Sequence, residues 1–167
     1  MLALLILLLL LLITSCSVTI WSIFFRDTPT SLAPDYAPQE IDPNAQPTPD
    51  AGEDTEKLEQ EQGGGSVSLQ YTKEVTVDLS DGMVYLSFTN PSESNQDMVL
   101  QVIVQEKLIA QSKLLPPGNT LTQLPLKEGV NLSPGGYNGK YTAAYYYENG
   151  EKAIVQTEIP LVILVEE

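Results

Sequence analysis

Residues 66–167 predict an all-β fold, an antiparallel sandwich of seven or eight short strands. Three observations carry this. Short runs alternate apolar with polar side chains or are rich in β-branched and aromatic types. Turn residues recur every 8–12 positions or so. No window longer than about ten residues has a convincing helical period.

The strands can be read in order. Val67, Leu69 and Tyr71 alternate with polar residues, and Val75, Val77 and Leu79 do so again before the turn Ser80-Asp81-Gly82. Val84, Leu86 and Phe88 share one face of the next strand, which stops at Asn90-Pro91-Ser92. Met98 to Val104 is β-branched and apolar, the composition of a strand covered on at least one face. Leu108 to Ser112 is shorter and is stopped by Pro116-Pro117-Gly118, after which Thr120 to Leu126 resumes the pattern. Tyr137 to Tyr147 is a long aromatic strand. The Asn149-Gly150 pair that follows suits a hairpin turn, since both residues accept positive φ. Ala153 to Val165 closes the fold. Pro160 within it lacks an N–H and marks an edge or a bulge.

About 100 residues is the size of an immunoglobulin-like domain. Pro134-Gly135-Gly136 leads into Tyr137 as a tyrosine corner would, with the phenol bonding back across the turn. No Cys…Trp…Cys pin is present, so the core depends on Leu, Val, Ile and Tyr. Along the aromatic strand Tyr137, Tyr141, Ala143 and Tyr145 share one face, and Thr142, Ala144 and Tyr146 the other. With the odd set inward, Tyr146 and Tyr147 are exposed and become candidate contacts for an envelope protein or glycan. Core and cross-strand packing is the competing reading of these rings.

Two segments precede the strands. Leu2 to Phe25 contains no charge and would form a helix of about 36 Å, against a bilayer core of about 30 Å. Trp21 lies near its far end, and Arg26 and Asp27 mark an exit into water. Residues 1–26 therefore read as a transmembrane signal anchor. The alternative is a lipoprotein, because Ile13-Thr14-Ser15-Cys16 looks like a lipobox with Cys16 as the lipidated residue. Two features weigh against it: the start has no Lys or Arg, and the apolar run continues past Cys16. Residues 27–65 read as an acidic, Pro-rich disordered linker. Up to Gln62 they hold ten acidic residues, one basic residue and six prolines, with few large apolar side chains to offset the entropy of ordering. Fully extended, those 36 residues would reach about 110 Å.

The stretch Asn90 to Val104, the Leu115-Pro116-Pro117-Gly118 turn, Leu132-Ser133-Pro134-Gly135-Gly136-Tyr137 and Asn149 to Val165 resemble a group of small membrane-anchored extracytoplasmic proteins of Gram-positive, Clostridia-like bacteria. The membrane exit and the acidic linker share in the resemblance. It implies an envelope location and an immunoglobulin-like sandwich. It brings no catalytic residue. The uncharged start, the acidic linker and the immunoglobulin-like module favour a single-pass anchor with the C-terminal domain outside.

The 167-residue chain carries a formal charge of −14 and no His, which removes the commonest general base and metal ligand. Such acidity argues against nucleic acid as a partner. A single Cys rules out an intrachain disulfide and a four-cysteine zinc site. No pair of acidic residues is placed for glycoside hydrolysis, and Ser and Thr lack a His partner. The expectation is a protein that is not an enzyme, with no cofactor and no metal site. It would be a membrane-tethered, surface-displayed interaction module, or else a structural subunit of a membrane complex that makes its contacts through the helix.

Overall fold

The computed structural model describes residues 33–49, 56–59 and 65–167. The expected anchor helix and Cys16 lie outside the described residues. Among those described, no helix is long and apolar enough to cross a membrane, and all regular structure is β. Nine strands are present: β1 (Ala45–Pro47), β2 (Gln70–Tyr71), β3 (Glu74–Asp78), β4 (Met83–Asn90), β5 (Asp97–Val104), β6 (Lys107–Gln111), β7 (Asn119–Pro125), β8 (Gly135–Tyr146) and β9 (Lys152–Glu166). From β3 onward they fall where the alternation predicts. The first expected strand shrinks to the two residues of β2.

The strands form one sheet in the order β1-β7-β4-β3-β9-β8-β5-β6, and β2 pairs with β4 off that path. Every pairing is antiparallel except β3 with β9, which runs parallel from Glu74↔Val162 to Asp78↔Glu166. The sheet curls about this seam. Alternating residues of both halves enter one core: Val75, Val77, Val84 and Phe88 from one side, and Leu100, Val102, Tyr141 and Ile163 from the other. Phe88 and Tyr141 meet edge to face across it, with ring centroids 5.5 Å apart.

Ala33 to Pro49 departs from expectation. Its composition predicts a disordered linker, yet it lies along the sheet as a strap. Tyr36 bridges to Glu151, Ile41 bridges to Leu114, and β1 pairs with β7 at Ala45↔Leu121. The strap buries little apolar surface beyond Ala33. Hydrogen bonds to sheet edges hold it, and composition does not reveal those. Ala37 N–H donates to the Gly150 carbonyl at 2.8 Å, and Asp42 N–H to the Leu114 carbonyl at 2.8 Å. The buried Asp42 carboxylate accepts the N–H of Asn44 and the N–H of Lys113, each at 2.8 Å. Lys113 also pairs with Glu40. Asp42→Ala would leave the Lys113 amide without this acceptor, so a loss of about 1–3 kcal/mol is expected. Urea denaturation measures that loss, and hydrogen exchange should show faster opening of residues 33–49 than of β8.

Candidate interaction surface

The aromatic strand β8 is divided between two faces as its alternation requires. Tyr141, Ala143 and Tyr145 enter the main core. Tyr145 donates to the Thr157 hydroxyl, and burial raises its phenol pKa. Thr142, Ala144 and Tyr146 take the outer face, but that face is not open here. Tyr146 is only 1% exposed, packed with Ala33, Val99 and Ala144, and its phenol donates to the Pro34 carbonyl at 2.8 Å. Burial, helped by Asp35, pushes that phenol up to about 12. The assignment of Tyr146 as an exposed contact is therefore corrected: the chain's own strap covers it. Tyr147 is half-buried, packed in part against the main core. Tyr137 donates to the Ser133 carbonyl at 2.8 Å and accepts the Ser133 N–H at 3.3 Å, reaching back across the turn as a tyrosine corner does.

The open surface lies on β9. Ile159, Leu161, Ile163 and Val165 point into the core, while Pro160, Val162 and Leu164 point outward. Val162 is 58% exposed and Leu164 47%. Nearer the hairpin, Ile154 is fully exposed and Val155 is 70% exposed. The ladder with β8 shifts register between Ala144 and Tyr146, and Ile154 and Val155 fall within that irregularity. The uninterrupted apolar run Ile159 to Val165 was the available sequence signal. Such a run reads as a strand covered on both faces, and here one face is bare.

Beside this row, a cavity of about 370 Å³ opens between the β5–β6 turn and Pro160. Ile103, Gln105, Glu106, Asn138 and Glu158 contribute to its walls. Gln105 and Glu106 both adopt positive φ, as a two-residue hairpin of this type demands. Gly139 is required at the cavity by close approach: a Cβ there would lie 2.6 Å from the Ile103 carbonyl oxygen and 2.5 Å from Ile163 Cδ1. Lys140 and Glu158 form an ion pair across β8 and β9 at 3.0 Å. The chemistry on offer is an apolar strip with carboxylates and one amine beside it. Among the described residues, no group of three or more His, Cys, Asp or Glu side chains is placed to hold a metal ion.

The chain matches no family model and no curated protein. Among solved structures it is similar to the periplasmic chaperone SfaE, with 16% identity and a TM-score of 0.34, over 61% of this chain and 58% of that one. The chain thus spans under two thirds of that protein's length, and a likeness at this level carries no functional argument.

Proposed function

We propose that this chain is a membrane-tethered, surface-displayed interaction module without catalytic activity, whose folded part is an immunoglobulin-like sandwich binding an envelope protein or glycan through the outer face of β9. The observation that carries the reading is the row of exposed apolar side chains on β9, Ile154, Val155, Val162 and Leu164, on an acidic chain. The sandwich assignment is supported by the sheet order around the β3–β9 seam and by the bond from Tyr137 to Ser133. The tether rests on the uncharged run from Leu2 to Phe25. Residues 33–49 are committed to the folded unit and add nothing to the reach of a stalk. The mechanism is presentation: tethering raises the effective concentration of a weak contact site.

The test uses the full chain in its native membrane, with a photo-crosslinking amino acid at Val162. A membrane-impermeant biotin reagent should label the protein on intact cells, and irradiation should give one discrete adduct that Leu164→Glu abolishes. A product inaccessible from outside, or one that gives no adduct from position 162, refutes the reading.

A further inference from the structure

β9 is paired with β8 along almost its whole length, but its other edge is only partly occupied. At one end Lys152 N–H donates to the Asp35 carbonyl of the strap at 3.0 Å. At the other, Val162 N–H donates to the Lys73 carbonyl at 2.9 Å, and β3 takes over from there. Between them, from Ala153 to Leu161, the described residues provide no pairing on this edge. The direction of the backbone groups follows from the ladder. Val162 faces β3, so in its antiparallel register with Asn138 it is a non-hydrogen-bonded partner of β8. Stepping by two, Pro160, Glu158 and Gln156 have the same orientation. Gln156 and Glu158 thus aim both N–H and C=O into a slot that the described residues leave unpaired, and Pro160 aims its carbonyl there. Pro160 fits this place because no donor is lost to β8.

We propose that this slot is a binding site for an extended peptide strand that adds to β9 between the strap and β3, with apolar residues covering Ile154 and Val155 and a basic residue facing Glu158. Unpaired N–H and C=O groups in a row are satisfied by another extended backbone and by few other ligands. The slot sets the length: nine residues of β9 at about 3.3 Å each give about 30 Å, room for a strand of up to about nine residues. Ile154 and Val155 supply the apolar contacts at one end. Glu158 is half-exposed and reaches Lys140 on one side, so a Lys or Arg on the added strand would flank it on the other. The chain's charge of −14 favours a cationic segment over an anionic one and over a second copy of itself. The inference deepens the proposed interaction function and rests on it for its biological context.

The test uses the full chain in a zwitterionic detergent and a capped seven-residue peptide alternating valine and lysine. Saturable binding is expected, with at least a tenfold slowing of exchange at the Gln156 and Glu158 amides. Replacing lysine by glutamate in the peptide, or N-methylating the peptide amides on one edge, should weaken binding tenfold or more. Gln156→Pro removes one slot donor and should weaken binding similarly while the melting temperature stays unchanged. The N-methylated peptide decides the matter if that variant misfolds. Absence of binding, indifference to N-methylation, or protection that falls elsewhere overturns the proposal. If the peptide fails but the Val162 adduct persists on cells, only the slot is lost. If the peptide binds but the adduct is absent, the display reading is lost and the slot stands.

Discussion

Replacing Tyr141 with Ala is expected to cost about 3–5 kcal/mol of unfolding free energy, as the loss of a large buried aromatic side chain does. The ring is fully buried and lies at the centre of an aromatic cluster. Phe88 of β4 meets it at 5.5 Å, and Tyr71 of β2 at 6.5 Å, both edge to face. These contacts join the two halves of the curled sheet at a place where no backbone hydrogen bond can, so an Ala leaves a cavity between layers. Tyr141→Phe keeps the ring and should cost under about 1.5 kcal/mol. Burial also pushes the Tyr141 phenol far above its ordinary value. A pKa raised in the folded state means that the neutral form is the one folding favours. Stability from this source is fully present below the ordinary phenol value of about 10 and is lost as the pH rises beyond it. Tyr141→Phe should therefore shift alkaline unfolding to higher pH. Urea denaturation at neutral pH and a pH-jump series measure both effects. A cost below about 1 kcal/mol for Tyr141→Ala would contradict the packing described.

Asn90→Ala is expected to cost about 1–3 kcal/mol, because it takes the side-chain donor from the buried Gln96 carbonyl and one of two donors from the Leu115 carbonyl, which keeps the Met98 N–H at 3.1 Å. Asn90 is fully buried, and its side-chain amide donates to the Gln96 carbonyl at 2.9 Å and to the Leu115 carbonyl at 3.0 Å. Its own carbonyl accepts the Gly118 N–H at 2.7 Å. One residue thus ties the end of β4 to the entry of β5 and to the turn before β7. Asn90→Asp preserves shape but loses the donor, so it should be no better than Ala. Equal stability of Asn90→Asp and wild type would show that the donor bonds do not hold these loops.

How much of this was legible in the sequence depends on which force places each element. Period-two alternation of apolar residues records burial against a core, and so β3 to β9 could be located from side chains such as Val75, Val84, Leu100 and Ile163. The inward set Tyr141, Ala143 and Tyr145 follows from the same rule. Residues 33–49 escape it, because Asp42, Ala37 and β1 are held by hydrogen bonds to edges that exist only once the sheet has formed. The error at Tyr146 follows directly: its face was read correctly, and the strap that covers it was invisible. The apolar outer residues Val162 and Leu164 were visible as letters, but a run apolar on both faces looks the same whether its second face is buried or bare. Asn90 read as the start of a turn, and its role as a buried tie between loops depends on long-range contacts that local sequence does not contain.

The open edge of β9 is tested most directly by residue-resolved hydrogen exchange on the unliganded full chain. Thr157 and Ile159 donate toward β8, whereas Gln156 and Glu158 face the slot, so the expected result is alternation along one strand: fast at 156 and 158, slow at 157, 159 and 162. Uniform protection from 156 to 162 would mean that the edge is already occupied, and uniformly fast exchange that this part of β9 is not held to β8; either pattern contradicts the account.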